Sequence, residues 1–320
     1  MIVRWGVSEL GGVLDELAIA NPLLVASPRW TNEDLPIRPR ATWMEVPSHR
    51  IAEAAERAGD GVVALGGGSA IDLGKAISAE AEVPVVSVPT TYAGAEWTPY
   101  FGVRDPDRKM RGGGAGAHLG GAVYEPRLTL SLPRGETVGT ALNALAHCAE
   151  ALYVQGHNDE ADAHALAGAR LIGEWLPQVV ERPHELEART RLLKGAMHAG
   201  MALGKSMLAL GHAMAQALGG RYGLPHGAMN ALSLPAALRF NARLEPTAVR
   251  RFGEALGADD PARRVEELAM LGGFERLRDL GVPEDELSKV AEAAAQRAGN
   301  HANPRPATPE EIEQLLRAIW

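Results

Sequence analysis

A single cysteine, Cys148, stands in 320 residues. One thiol excludes an internal disulfide framework and suits a reducing cytoplasm. Long apolar runs are missing as well. None reaches the roughly 18 residues that a membrane-spanning helix needs. Basic residues are not in excess: the net charge is −8. Neither nucleic acid nor an acidic membrane surface is expected as a partner. The first residues, MIVRWGVSELGG, lack the basic-then-apolar layout of a signal peptide. There is no internal repeat and no low-complexity tail. What remains is 46% hydrophobic and 22% charged, as in a soluble globular protein, and long enough for two domains with a large core.

The densest signal is Gly61 to Ile77, GVVALGGGSAIDLGKAI. Val62 to Leu65 reads as a buried strand, and Ile71, Leu73, Ala76 and Ile77 give the apolar side of a helix. Between them lie Gly66, Gly67, Gly68 and Ser69. A strand, a glycine turn and a helix N-terminus make an anion site: missing Cβ atoms let a phosphate approach, and free N–H groups point at it. A cofactor with a diphosphate is the natural ligand. A tight turn without a ligand would use the same glycines. The stretch is neither GxGxxG nor GxxxxGK[ST], so it leaves the cofactor unnamed.

Around this stretch, apolar runs alternate with helical periodicity. A helix is expected over residues 8–19, a strand over 23–26, loop over 30–41, a strand over 42–46 and a helix over 49–58. A strand over 85–88 follows, ending at Pro89-Thr90-Thr91. The alternation predicts a parallel α/β sheet, whose ligands bind at the carboxyl ends of strands. Residues 92–121 are glycine-rich, with a hairpin turn at 104–109. A last strand is expected over 122–124 and a connection over 128–133. Beyond residue 134 the pattern is helical, over about 136–155, 159–180, 185–208, 208–219, 227–240, 246–256, 260–280, 284–297 and 308–319. Thr308, Pro309 and Glu311 form a capping box at the last helix. The expected division is an α/β domain over 1–133 and an all-helical domain over 134–320.

In the helical half, Asn143 and His147 are four residues apart and share one helix face. His212 stands on a later helix, and His226 follows in the loop Leu224-Pro225-His226-Gly227. Three imidazoles and one amide are a donor set for one divalent metal, and imidazole suits Zn, Fe, Cu or Ni. Taken singly, each histidine reads first as a hydrogen-bonded core or surface residue. His49, His118, His157, His164, His184, His198 and His301 have no partner at ligand spacing and keep that reading.

Read together, the pieces are specific. Gly66-Gly67-Gly68-Ser69 with Asp72 and Lys75 comes first, then PTTYAGAEWTP at 89–99. Asn143, His147, Glu150 and Tyr153 follow, then His212, Leu218-Gly219-Gly220, Pro225-His226-Gly227, and NPRP at 303–306. This order resembles the iron-containing (group III) alcohol dehydrogenase family, and within it the maleylacetate reductases, over about residues 8–319. The resemblance implies a dinucleotide-binding α/β domain and a helical catalytic domain, with the active site in the cleft between them. It implies NAD(H) or NADP(H) on Gly67, Gly68, Ser69, Asp72, Thr90, Thr91 and Lys109. It implies catalytic His147, His212 and His226. These three, with Asn143, would hold a divalent metal (iron or zinc) if one binds. It also implies a homodimer.

Some positions depart from the wider family pattern. The first metal-ligand position, usually aspartate, is Asn143, which brings no negative charge. A histidine common in the late pair is replaced by Gln216. The acidic residue that meets the adenosine ribose is absent, and Pro28 and Arg29 stand there, so NADP is not repelled. The N-terminal domain is short for the family. The expected activity is reduction of an oxo acid, maleylacetate to 3-oxoadipate. Arg221, Arg239 and Tyr92 are carboxylate-binding candidates by nearness in the chain alone. Competing expectations are a metal-dependent alcohol or aldehyde dehydrogenase, a dehydroquinate-synthase-like lyase, and a non-catalytic nucleotide-binding relative.

Overall fold

Strands whose residues are all buried belong to a sheet covered on both faces, and a parallel sheet with flanking helices is such a sheet. The computed structural model, which describes residues 1–30 and 33–320, has this arrangement in the first of two compact units, Met1–Ser131. Its strands are β1 (Ile2–Trp5), β2 (Leu23–Ala26), β3 (Ala41–Trp43), β4 (Val62–Gly66), β5 (Pro84–Pro89), the hairpin β6 (Phe101–Arg104) and β7 (Met110–Gly114), and β8 (His118–Tyr124). Six of them form one parallel sheet in the order β1-β8-β5-β4-β2-β3.

Alternate residues of β4 serve opposite faces. Val63 and Leu65 pack with Leu10, Val13 and Leu14, the last three on α1 (Leu10–Glu16). Val62 and Ala64 pack with Ala54 of α2 (Ile51–Ala55) and with Leu73 and Ile77 of α3 (Gly68–Ala81). α3 lies close on the sheet, because a Cβ on Gly74 would fall 2.6 Å from the Cβ of Ala64.

The first unit differs from the sequence reading in several places. β1 was not expected at all. The last strand starts four residues before Ala122, at His118. Its leading half contains Gly120 and Gly121, where a Cβ would strike Leu17 at 2.9 Å and Val13 at 3.0 Å. The helix expected over 8–19 is a 3-10 turn, Val7–Glu9, followed by α1, and Ala18 turns out at φ 55°. Part of the loop expected over 30–41, residues 31 and 32, lies outside the described residues. The hairpin turn falls at 105–109, with Arg108 at φ 63°.

The second unit, Leu132–Trp320, is helical. It contains α4 (Arg134–Ala151), α5 (Asp159–Glu181), α6 (Leu186–Gly204), α7 (Leu210–Tyr222), α8 (His226–Asn241), α9 (Pro246–Leu256), α10 (Pro261–Met270), α11 (Leu287–Ala295), α12 (Ala298–Ala302) and α13 (Pro309–Ala318). The Thr308 capping box is present in full at α13. The helix expected over 260–280 stops at Met270. A Cβ on Gly272 would lie 2.8 Å from Val138, and Gly273 takes φ 78°. α4 and α8 pass backbone to backbone: a Cβ on Gly227 would fall 2.5 Å from the Gly139 carbonyl carbon. Among the described residues, no helix is long and apolar enough to cross a membrane.

Candidate active site

Two groups of residues carry chemistry, one in each unit. In the first, β4 and β5 end side by side with Gly66 in register with Pro89, and the Thr90 N–H donates to the Gly66 carbonyl at 3.0 Å. The glycine turn and the Pro-Thr-Thr stretch thereby meet. Gly66 sits at φ 149°, and a Cβ there would fall 2.7 Å from Ala70. A Cβ on Gly67 would meet Thr91 Cγ2 at 2.8 Å, whereas one on Gly68 would meet nothing within 4 Å. α3 begins at Gly68 with no side-chain cap, so its first N–H groups have no partner within the helix. Thr91 Oγ1 beside them is buried without a hydrogen-bond partner. Open space, helix-end donors and an orphaned hydroxyl fit a diphosphate.

The other residues expected at the cofactor, and the carboxylate candidate Tyr92, have surroundings of their own. The Asp72 carboxylate pairs with buried Lys75 at 3.0 Å and accepts the Gly102 N–H at 3.2 Å. Lys75 in turn donates to the Ala95 carbonyl at 2.8 Å, which ties α3 to the segment after β5. Lys109 is exposed on the hairpin turn. Arg29 donates to the Ser131 carbonyl at 3.2 Å and lies 4.8 Å above the Trp30 ring. Tyr92 is buried and its hydroxyl donates to Thr129 at 3.2 Å, so it is a packing residue of the first unit.

In the second unit, the expected histidines converge. α4 contributes Asn143 and His147, α7 contributes His212, and the first residue of α8 is His226. The His147 and His212 rings stack with centroids 4.8 Å apart, and His212 and His226 lie 5.8 Å apart. His147 is 5% exposed and His212 is 1% exposed. Burial holds the His147 ring well below the usual histidine range, and His212 and His226 push the same way. It is a neutral imidazole, and its Nδ1 is buried without a partner, as is His212 Nε2.

Two residues given no role from sequence organise this cluster. Glu150, one turn after His147 on α4, is fully buried. Its carboxylate accepts from the Ala209 N–H at 2.7 Å, the His212 N–H at 3.0 Å and His212 Nδ1 at 2.7 Å. It therefore caps α7, which has no side-chain cap of its own, and fixes His212 as the Nδ1–H tautomer with Nε2 bare. A Cβ on Gly211 would sit 2.9 Å from this carboxylate. Asn230, one turn into α8 from His226, is also fully buried. Its Nδ2 donates to Asn143 Oδ1 at 2.7 Å and lies 3.1 Å from His226 Nε2.

The donor set suits a divalent metal in part. His147 and His212 offer buried nitrogens with no protein partner, while Asn143 Oδ1 and His226 Nε2 are both engaged by Asn230. Among the described residues, no three His, Cys, Asp or Glu side chains close on a common point suited to a metal.

The remaining candidates are structural. Arg221 forms a two-pronged pair with Glu286 at 2.9 Å, and Arg239 pairs with Glu266 at 2.7 Å. Asn303 of the NPRP segment exchanges two amide hydrogen bonds with Asn241, at 2.9 and 3.0 Å. Arg305 stacks over Phe240 at 4.9 Å.

Residues 137–320 match the model of the Fe-containing alcohol dehydrogenase family, C-terminal, and residues 44–118 match that of iron-containing alcohol dehydrogenase. The chain is 40% identical over 287 residues to maleylacetate reductase of Burkholderia cepacia, covering 88% of this chain and 81% of that protein. The maleylacetate reductase structure from Rhizobium sp. strain MTP-10005 superposes with a TM-score of 0.89 at 30% identity, covering 100% of this chain and 95% of that one. That from Agrobacterium tumefaciens gives 0.89 at 28% identity with the same coverage.

Proposed function

The chain belongs to the iron-containing alcohol dehydrogenase family, and from that premise we propose that it reduces maleylacetate to 3-oxoadipate with NAD(P)H. Several maleylacetate reductases share 34–40% identity with it over most of its length. The observation that carries the chemistry is the Glu150–His212 pair beside neutral, buried His147.

Maleylacetate has a carbon–carbon double bond conjugated with a ketone. Hydride from the nicotinamide adds to the alkene carbon remote from the ketone. Electrons move onto the ketone oxygen as an enolate, and a proton then adds at the carbon next to the ketone. The products are 3-oxoadipate and NAD(P)⁺, with one proton consumed. The cofactor supplies the hydride, and the protein must orient it and stabilise the enolate oxygen. The Gly67-Gly68-Ser69 turn with Thr90 and Thr91 holds the diphosphate end, and Gly68 leaves the room for it. His212, fixed through Nδ1 by the Glu150 carboxylate, is the electrophile: its Nε2, bare at rest, takes up the one proton the reaction consumes and donates it to the enolate, with the carboxylate beside Nδ1 offsetting the charge on the ring. His147 is neutral and contributes N–H polarity rather than charge. A divalent metal would use His147, His212, His226 and Asn143, and no step above runs through one. In this proposal Asp72 serves the cofactor end indirectly, by holding Lys75 and the Gly102 N–H, and Lys109 would reach the ribose from the exposed hairpin turn. A homodimer and a cytoplasmic location complete it, both resting on likeness to the family.

The test is oxidation of NADH and of NADPH, followed at 340 nm, with maleylacetate and with simple aldehydes, before and after chelation. Turnover of maleylacetate that survives the chelator is expected. Turnover of aldehydes alone, lost on chelation, would replace this reading with that of a metal-dependent alcohol dehydrogenase.

A further inference from the structure

We propose that Asn230 is a positioning residue that ties Asn143 and His226 together and holds their donor atoms away from a divalent metal. The inference takes from the reading above only that this cluster is the active site.

One amide nitrogen has two hydrogens. Asn230 Nδ2 lies 2.7 Å from Asn143 Oδ1 and 3.1 Å from His226 Nε2, with the His226 carbonyl at 3.3 Å. The amide orientation follows from these contacts. The His226 backbone carbonyl can only accept, so with the group turned over the Asn230 oxygen would face that carbonyl and the Asn143 oxygen, acceptor against acceptors. In the arrangement present, Asn230 Oδ1 is buried with no partner. The group keeps its N–H side turned to the cluster at the expense of its oxygen. Accepting from Asn230 makes His226 the Nδ1–H tautomer, whose Nε2 lone pair is committed to the protein.

A metal ligated by His226 Nε2 needs that lone pair, so it must displace an N–H from a buried site. Asn143 adds nothing to compensate, since an amide has no charge to set against a divalent ion. His147 and His212 keep nitrogens without a partner, yet two imidazoles alone form a poor site. The close passage of Gly139 by Gly227 fixes α4 and α8 at the separation that lets one side chain span both partners. Asn230 thus does for Asn143 and His226 what Glu150 does for His212, but with the opposite sign for a metal: Glu150 leaves Nε2 open and Asn230 closes it.

The test uses the full chain stripped of metal and titrated with Co²⁺, with binding read from visible absorbance, and Zn²⁺ by competition. Asn230→Leu keeps the shape and removes both N–H groups. Co²⁺ is expected to bind it roughly three- to tenfold more tightly than the wild type, the fold-change of one hydrogen bond no longer displaced. A merely structural role predicts the reverse, because a disordered cluster binds metal less well. Unchanged or weaker binding by a folded Asn230→Leu protein would overturn the proposal. If this variant does not fold, the wild type decides. With asparagine side chains labelled by ¹⁵N, saturating Zn²⁺ must shift the Asn230 amide resonances, and resonances that stay in place overturn the proposal. Neither readout uses maleylacetate, so a failure of the substrate assignment is seen separately.

Discussion

Replacing Glu150 by glutamine changes one atom and removes one charge at the point where the cluster is oriented. The carboxylate accepts three N–H groups from α7 and its cap. Glutamine has one oxygen, so whichever way it turns, its NH₂ faces at least one N–H donor. If the NH₂ takes the place of Oε2, it faces Ala209 N–H and His212 Nδ1, and the ring must move its proton to Nε2. His212 then loses the partner that stabilises it when charged. Charge-assisted hydrogen bonds are worth about 1.5–3 kcal/mol each. Loss of one in the transition state lowers kcat by roughly 10- to 150-fold. The assay is single-turnover oxidation of NADH by maleylacetate in a stopped-flow instrument, with the thermal midpoint measured in parallel. Glu150→Gln should lower the chemical rate with little change in cofactor KM, because the diphosphate turn is in the first unit. A rate within threefold of wild type in a folded Glu150→Gln protein would refute the role given to the Glu150–His212 pair.

Other consequences can be checked with single variants. Gly68→Ala places a methyl group in open space, so the thermal midpoint should hold or rise slightly. The KM for NAD(P)H should increase about tenfold as the diphosphate is pushed from the helix end. Gly74→Ala strikes Ala64 instead and should destabilise the protein without that selective effect. Glu96 is buried, its Oε1 accepts from the Tyr124 hydroxyl at 2.7 Å, and its Oε2 has no partner. Burial raises its carboxyl above the ordinary value. A folded-state value above the unfolded one means stability is highest below the unfolded value and is lost as pH rises through the folded one. Glu96→Gln should therefore raise the thermal midpoint at pH 8 and do little at pH 4, and an equal effect at both would contradict this. Asn303→Ala leaves the buried Asn241 amide without its exchange partner and should cost about 2–3 kcal/mol in denaturant unfolding. The kcat of the folded fraction should not change.

The sheet was legible where physics writes it as composition. Val62 to Leu65 and Leu23 to Ala26 are buried on both faces and appear as unbroken apolar runs. It was illegible where a strand is packed so closely that glycines replace the apolar run and a side chain would crowd its neighbours, as at Gly120 and Gly121. A helical pattern also runs on past the point where the chain turns out of the helix, as at Gly273 with φ 78°. The cluster was legible through Asn143, His147, His212 and His226, because two share a helix turn and the rest stand in recognisable order. Glu150 and Asn230 were not, although each lies one turn from a histidine. Their partners, the N-terminus of α7 and the Asn143 carboxamide, are 59 to 87 residues away in the chain. No local pattern records such a pairing. Nearness in sequence misled in the other direction: Arg221 and Arg239 stand close to the motifs and are held by Glu286 and Glu266 at the surface.

The central claim is that hydride goes to carbon conjugated with the ketone while the ketone survives. Single turnover of maleylacetate with NAD(P)H deuterated at the transferred C4 position, followed by mass spectrometry and NMR of the product, tests this directly. The account predicts 3-oxoadipate carrying one deuterium at C5, the carbon next to the carboxylate remote from the ketone. Deuterium on a carbinol carbon, in a hydroxy acid that keeps its double bond, would contradict it.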